Sequence, residues 1–214
     1  MTHGCFELVV KPDGGIETTF RPQEGYEARL QLRLNRIFPA AAPCVVDAGV
    51  SGDSAGGGLS RLERDVLSLQ PDLVIVNFGL NDACNADVEG GLAAYARNMR
   101  AIFEKVLSSG AECMLLTPNR MCSYVSAQLT YQPMRDIAER VAAVQNGGIL
   151  TRYVDAAKAE AAECGVPVAD AYARWQALER SGADTTAMLA NFINHPRADM
   201  HDLFAALVLD QLFA

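Results

Sequence analysis

Leu73-Val74-Ile75-Val76-Asn77-Phe78-Gly79-Leu80-Asn81-Asp82 is the stretch that decides the fold. Its first four residues are apolar at every position, the pattern of a parallel strand covered on both faces and not that of an alternating, half-exposed one. It reads as the central strand of an α/β protein. On its amino side, Leu59, Leu62, Val66 and Leu69 recur at helical spacing and stop before Pro71. On its carboxyl side, Leu92, Tyr95, Met99, Ile102, Phe103 and Val106 mark a long amphipathic helix that leads into an apolar strand at 113–116, closed by Thr117-Pro118.

The alternation continues in both directions. Residues 6–10 and 16–20 flank Pro12-Asp13-Gly14-Gly15 and predict a surface hairpin or an irregular excursion, read as an insertion. Tyr26, Leu30, Leu34, Ile37 and Phe38 predict a helix stopped by Pro39, followed by a short strand at 44–48. Met134, Ile137, Val141 and Val144 predict a helix broken at Asn146-Gly147-Gly148. A second helix is expected at 149–164 with Gly165 as its cap, then a strand at 166–169 and a closing helix through Met200, Leu203, Phe204, Leu207, Val208 and Leu212. Strands separated by helices of ten or more residues imply right-handed crossovers. The expected fold is therefore a three-layer α/β/α sandwich with a central parallel sheet, flavodoxin-like in class, formed as a single domain over residues 1–214.

Composition narrows the function. The 214 residues are 50% hydrophobic, enough for an ordinary core, and the formal charge of -8 repels a phosphate backbone, so no nucleic-acid partner is expected. No apolar run approaches the roughly 18 residues of a membrane span. The six cysteines form no C-x-x-C pair, and several stand in apolar runs, which suits buried thiols in a reducing, cytoplasmic setting. The three histidines lack ligand-spaced acidic or thiol partners, so neither metal nor cofactor is expected.

In a parallel sheet of this kind ligands bind beyond the carboxyl ends of the strands, which singles out three loops. Gly49-Val50-Ser51-Gly52-Asp53-Ser54-Ala55-Gly56-Gly57-Gly58 has no lysine for a phosphate loop. Its Gly52-x-Ser54-x-Gly56 matches a nucleophile elbow, but the commoner reading of such a glycine-rich loop is that Ser54 caps the following helix. Asn81 stands where a side-chain amide donates into a cleft or simply caps a turn. His195, held extended before Pro196, is placed to act as a general base; His201 reads as a structural or surface histidine and His3 lies at a terminus.

Taken in order, these loops resemble the GDSL or SGNH hydrolases, serine esterases and lipases on a three-layer fold. Val50-Ser51-Gly52-Asp53-Ser54 is similar to that family's second block, Gly79-Leu80-Asn81-Asp82 to its third and His195-Pro196 to its fifth, with Gly52 and Asn81 29 residues apart. The resemblance implies a small-molecule ester substrate, oxyanion donors at Gly52 and Asn81, and His195 as base. It departs from the pattern in two places. Phe192 stands three residues before His195, where the family carries an aspartate, leaving Asn191, Asn194, Asp184 or a backbone carbonyl to orient the imidazole. The family's first block, a buried strand ending in Gly-Asp-Ser, would align immediately upstream of Met1. An in-frame strand and serine are therefore expected there in the gene, with the fold's first strand lying outside the written sequence.

Two other readings stay open from the residues alone. One is an α/β-hydrolase using Ser54 with Asp170 or Asp184 and His195, with Thr2 as a remoter nucleophile. The other is a non-catalytic module that keeps the cleft for an acyl or sugar ligand. A sheet lacking its first strand would also expose an edge through which two copies could pair.

Overall fold

The computed structural model describes residues 5–10 and 16–214. Strands β1 (Cys5–Val10) and β2 (Ile16–Arg21) pair antiparallel, with Cys5 opposite Arg21, as the hairpin reading required. The turn expected at Pro12 to Gly15 lies outside the described residues. Helix α1 (Tyr26–Ile37) follows, burying Tyr26 and Leu30 on one face.

The parallel sheet is β3 (Leu73–Val76), β4 (Glu112–Leu116) and β5 (Val168–Ala169), in that spatial order among the described residues. Leu73 pairs with Glu112, Val76 with Leu115, and Leu116 with Ala169. This corrects two expectations. Of the three described strands β4, not β3, stands in the middle, and four of its five residues are buried whereas only Val76 of β3 is. Residues 44–48 form no ladder among the described residues. Gln31 of α1 holds that segment instead, accepting from the Val45 amide and donating to the Pro43 carbonyl.

Helices cover both faces. α2 (Ala55–Asp65) packs on α3 (Val88–Ser108), α3 on α5 (Ile149–Glu163) and α5 on α4 (Gln132–Asn146). On the other side α1 packs on α7 (His201–Leu212), which also touches β5 and α6 (Ala171–Arg180). Arg29 and Arg33 of α1 both pair with Asp202 at the start of α7. α3 buries Tyr95, Met99, Ile102, Phe103 and Val106, a stripe at helical spacing that faces the sheet. Fully buried Trp175, Tyr153 and Phe204 extend this core, each such large side chain contributing about 1.5–3 kcal/mol of transfer free energy.

α2 begins earlier than the hydrophobic spacing indicated. Its opening Gly56-Gly57-Gly58 has poor helix propensity, but tertiary contact requires it: a Cβ on Gly58 would come within 2.2 Å of the Phe78 ring. The missing side chain lets α2 lie directly on the residue that follows β3. Of the six cysteines, Cys5, Cys113 and Cys122 are buried, and burial pushes the Cys113 thiol up to about 12.

Candidate active site

Gly52, in the loop between residues 48 and 54, takes φ +76°, which an L side chain adopts only with strain. The loop is fixed from α2, where Arg61 donates to the Asp53 carboxylate at 2.7 Å and to the Ala48 carbonyl at 2.5 Å. The Asp53 amide donates back to the Val50 carbonyl at 3.3 Å, closing the turn that carries Gly52. Ser54 then caps α2, its hydroxyl accepting the Gly57 amide at 3.3 Å. Its backbone is extended, with φ -115°, instead of adopting a strained elbow, so the capping alternative describes its place.

The loop after β3 is stitched to this one by two consecutive residues. Asn81 is exposed and donates through Nδ2 to the Asp53 carbonyl at 2.8 Å. Asp82 accepts the Ala55 amide at 2.9 Å on one oxygen and the Gly79 amide at 3.1 Å on the other. Burial raises the Asp82 pKa above the ordinary carboxylate value, and these amide donors oppose the rise. Gly79, at φ +126°, sits under the Tyr95 hydroxyl, which a Cβ would approach to 3.2 Å.

His195 lies in the turn before α7. Its amide donates to Asn191 Oδ1 at 3.0 Å, and its carbonyl accepts the Ala190 amide at 2.7 Å. Burial lowers its imidazole pKa to about 4, so the ring is neutral at pH 7. His201 is structural: it is buried at the first residue of α7, and its Nδ1 accepts the Tyr26 amide at 3.0 Å, capping α1. Burial holds it lower still, at about 3.

Gly52, Asn81 and His195 line one cavity of about 940 Å³. Its walls explain its shape. β3 and residues 44–48 both line it, together with Leu34 and Leu212 from the α1/α7 layer and Leu62 and Ile102 from the α2/α3 layer. The cavity therefore lies beside β3, with the three loops at the strand's carboxyl end. Glu27 also lines it. Neither Glu27 carboxylate oxygen has a hydrogen-bond partner among the described residues, and burial raises its pKa to about 7, with Asp47 adding to the rise.

The remaining acidic candidates are engaged elsewhere. Asp184 accepts the Tyr124 hydroxyl at 2.6 Å and the Ala187 amide at 3.0 Å; Asp170 caps α6 and accepts from Thr117 and Lys158. Residues the sequence reading left without a role include Asp82, Arg61 and Asn119. Asp82 stands inside a recognised motif, but nothing in its spacing shows that it clasps two loops. Among the described residues no three histidine, cysteine or acidic side chains gather as a metal group, and no helix is long and apolar enough to cross a membrane.

A parallel sheet between two helix layers, with an amide turn, an asparagine and a histidine on one cavity at its carboxyl end, defines a hydrolase-type α/β scaffold. The chain belongs to the GDSL-like Lipase/Acylhydrolase family, whose profile matches residues 2–203. It is similar to Esterase TesA of Pseudomonas aeruginosa, with 37% identity over 117 residues that cover 53% of this chain and 54% of that protein. The match thus spans about half the length of that curated relative.

Solved structures share the fold at lower identity. An acetyl xylan esterase, AlAXEase, superposes with a TM-score of 0.69 at 17% identity, covering 88% of this chain and 90% of its own. An acetylxylan esterase from Geobacillus stearothermophilus gives 0.68 at 20% identity, over 97% of this chain and 85% of that one.

Proposed function

We propose that this chain carries the oxyanion and proton-transfer machinery of an esterase for short-chain acyl esters, with Gly52 and Asn81 stabilising the oxyanion and His195 moving the proton. The observation that carries the reading is the convergence of these three residues on a single cavity. Family membership supports it. A carboxamide nitrogen carries two hydrogens; Asn81 donates one to the Asp53 carbonyl, which fixes the group and leaves the other for an oxygen that becomes negative in the transition state. The Gly52 amide, on a turn closed by Asp53 and Arg61, supplies a second donor that needs little reorganisation during reaction. Neutral His195 accepts the proton of the attacking hydroxyl and returns it to the leaving alcohol.

The attacking hydroxyl in this reading stands on an extended segment seated beside β3. One feature supports that position: β3 and residues 44–48, which form no ladder among the described residues, both line the cavity. Such a segment would join β3 on one side and 44–48 on the other. Because two of the structurally similar proteins are acetylxylan esterases, acetylated xylo-oligosaccharides are the first natural substrate to offer, beside p-nitrophenyl acetate.

The test compares the written chain with one extended upstream in its gene. Turnover by the extended chain, a fluorophosphonate adduct on an upstream serine, and a loss of about 10² to 10³ in kcat in Asn81→Ala are expected. An adduct on Ser54, or an Asn81→Ala variant with unchanged kcat, overturns the assignment.

A further inference from the structure

The turn that carries His195 is built around one side chain. Asn191, buried and 6% exposed, accepts three successive backbone amides on Oδ1, those of Ile193, Asn194 and His195, each at 3.0 Å. Through Nδ2 it donates to Asn194 Oδ1 at 3.0 Å. Three amides converging on one oxygen force a tight reversal, and Phe192, inside it, takes φ +54°, an uncommon conformation for an aromatic residue. Such outliers persist where the surroundings over-determine them.

The surroundings here do so. The Ile193 carbonyl accepts the Cys122 amide at 2.8 Å, and the Asn194 carbonyl accepts Asn119 Nδ2 at 3.0 Å, so the turn is pinned to the loop after β4. At His195 itself the amide goes to Asn191 and the carbonyl to the Ala190 amide. Both backbone polar groups of the base are thus committed to adjacent residues of one turn.

We propose that Asn191 is the positioning residue of the active site: its carboxamide, acting through the backbone of residues 193–195, holds the His195 imidazole over the cavity. The proposal rests on the ester-hydrolysis reading for its catalytic meaning, and on the turn geometry alone for its structural meaning. The turn gives the imidazole a fixed backbone at a position where the residue three before it is Phe192. His201, the titratable side chain next to His195 on α7, is capped onto α1 and does not depend on Asn191.

The written chain tests the structural half. With only three histidines, each imidazole resonance is assignable in a pH titration by NMR, His195 by its loss in His195→Gln. Asn191→Ala frees three amides and admits water, so His195 is expected to titrate at least about one unit higher than in the parent, with His201 unmoved. A folded Asn191→Ala whose His195 titrates as in the parent overturns the proposal. If Asn191→Ala does not fold, Asn191→Asp carries the test. It keeps the acceptor, with Asn194 turning its carboxamide over to donate, and amide exchange at 193–195 should stay within about threefold of the parent; a tenfold acceleration overturns it.

Kinetics on p-nitrophenyl acetate test the catalytic half. Asn191→Ala is expected to lower kcat by about 10- to 100-fold with KM nearly unchanged, and Asn191→Asp to restore most of it. A raised KM with parental kcat overturns the role. Parental protein that turns over no ester in either form counts against ester hydrolysis, while the titration still decides whether Asn191 holds His195.

Discussion

The Asp82 carboxylate accepts the Ala55 amide at 2.9 Å, and its second oxygen takes the Gly79 amide at 3.1 Å. One side chain therefore bridges the start of α2 and the end of β3, the two segments that flank Gly52 and Asn81.

Replacing Asp82 by alanine leaves two backbone amides without their acceptor. A loss of about 2–3 kcal/mol is expected in urea denaturation, because hydrogen bonds to a charged group are worth about 1.5–3 kcal/mol each and water replaces part of that loss at a half-buried site. Turnover should fall further than stability alone dictates, since the two loops lose their common register. An Asp82→Ala protein as stable as the parent would show that the bridge carries no load.

Glu27 titrates against the fold. Its folded pKa of about 7 lies above the ordinary 4.5, so the stability it contributes is complete below pH 4.5 and is lost as pH rises through about 7. Glu27→Gln should therefore stabilise the protein by up to roughly 3 kcal/mol at pH 8 and change little at pH 4, read from paired denaturation curves. Equal effects at both pH values would refute the assignment.

His201 and His195 have the opposite sign. Their folded pKa values, about 3 and about 4, lie below the ordinary 6.5, so the unfolded chain takes up protons that the folded one refuses. Stability should fall as pH drops from 6.5 toward 3, by up to about 1.4 kcal/mol per pH unit for each histidine. His201→Asn should flatten this slope by one proton; a slope unaltered between pH 6 and 4 would place the titration elsewhere.

The same His195 value sets the acid limb of catalysis. For the free enzyme, kcat/KM should hold down to about pH 4 instead of halving near 6.5, measured as a pH profile with p-nitrophenyl acetate. A limb near 6.5 would mean that the ring is well hydrated in the working protein.

Ser54→Ala tests the cap. It should cost about 1 kcal/mol, as N-cap removal does, and leave kcat within twofold. Loss of turnover in a stable Ser54→Ala protein would reopen the elbow reading.

Much of this architecture was legible because local signals and tertiary structure agree. The apolar run Leu73–Val76 is a parallel strand, and the stripe from Tyr95 to Val106 is a buried helix face. The rank of a strand within its sheet has no local signal, which is why β3 read as central when, of the three described strands, β4 stands between the other two. Residues 44–48 have strand composition but gain a ladder only through a neighbour, and Gln31 takes the Val45 amide and the adjoining Pro43 carbonyl instead. α6 was missed although Tyr172 and Trp175 stand three apart and Asp170 caps it; its brevity hid it. At the site, residue types and order revealed Gly52, Asn81 and His195. The clasp by Asp82 and the turn around Asn191 are matters of direction, which spacing does not encode.

The packing of α1 against α7 joins two helices that stand far apart in the sequence. Tyr26 packs on Phe204, so this layer closes only after the segments between the two helices have taken their places. Closure over so long a separation is slow, and copies that have not completed it present a sticky apolar face to one another.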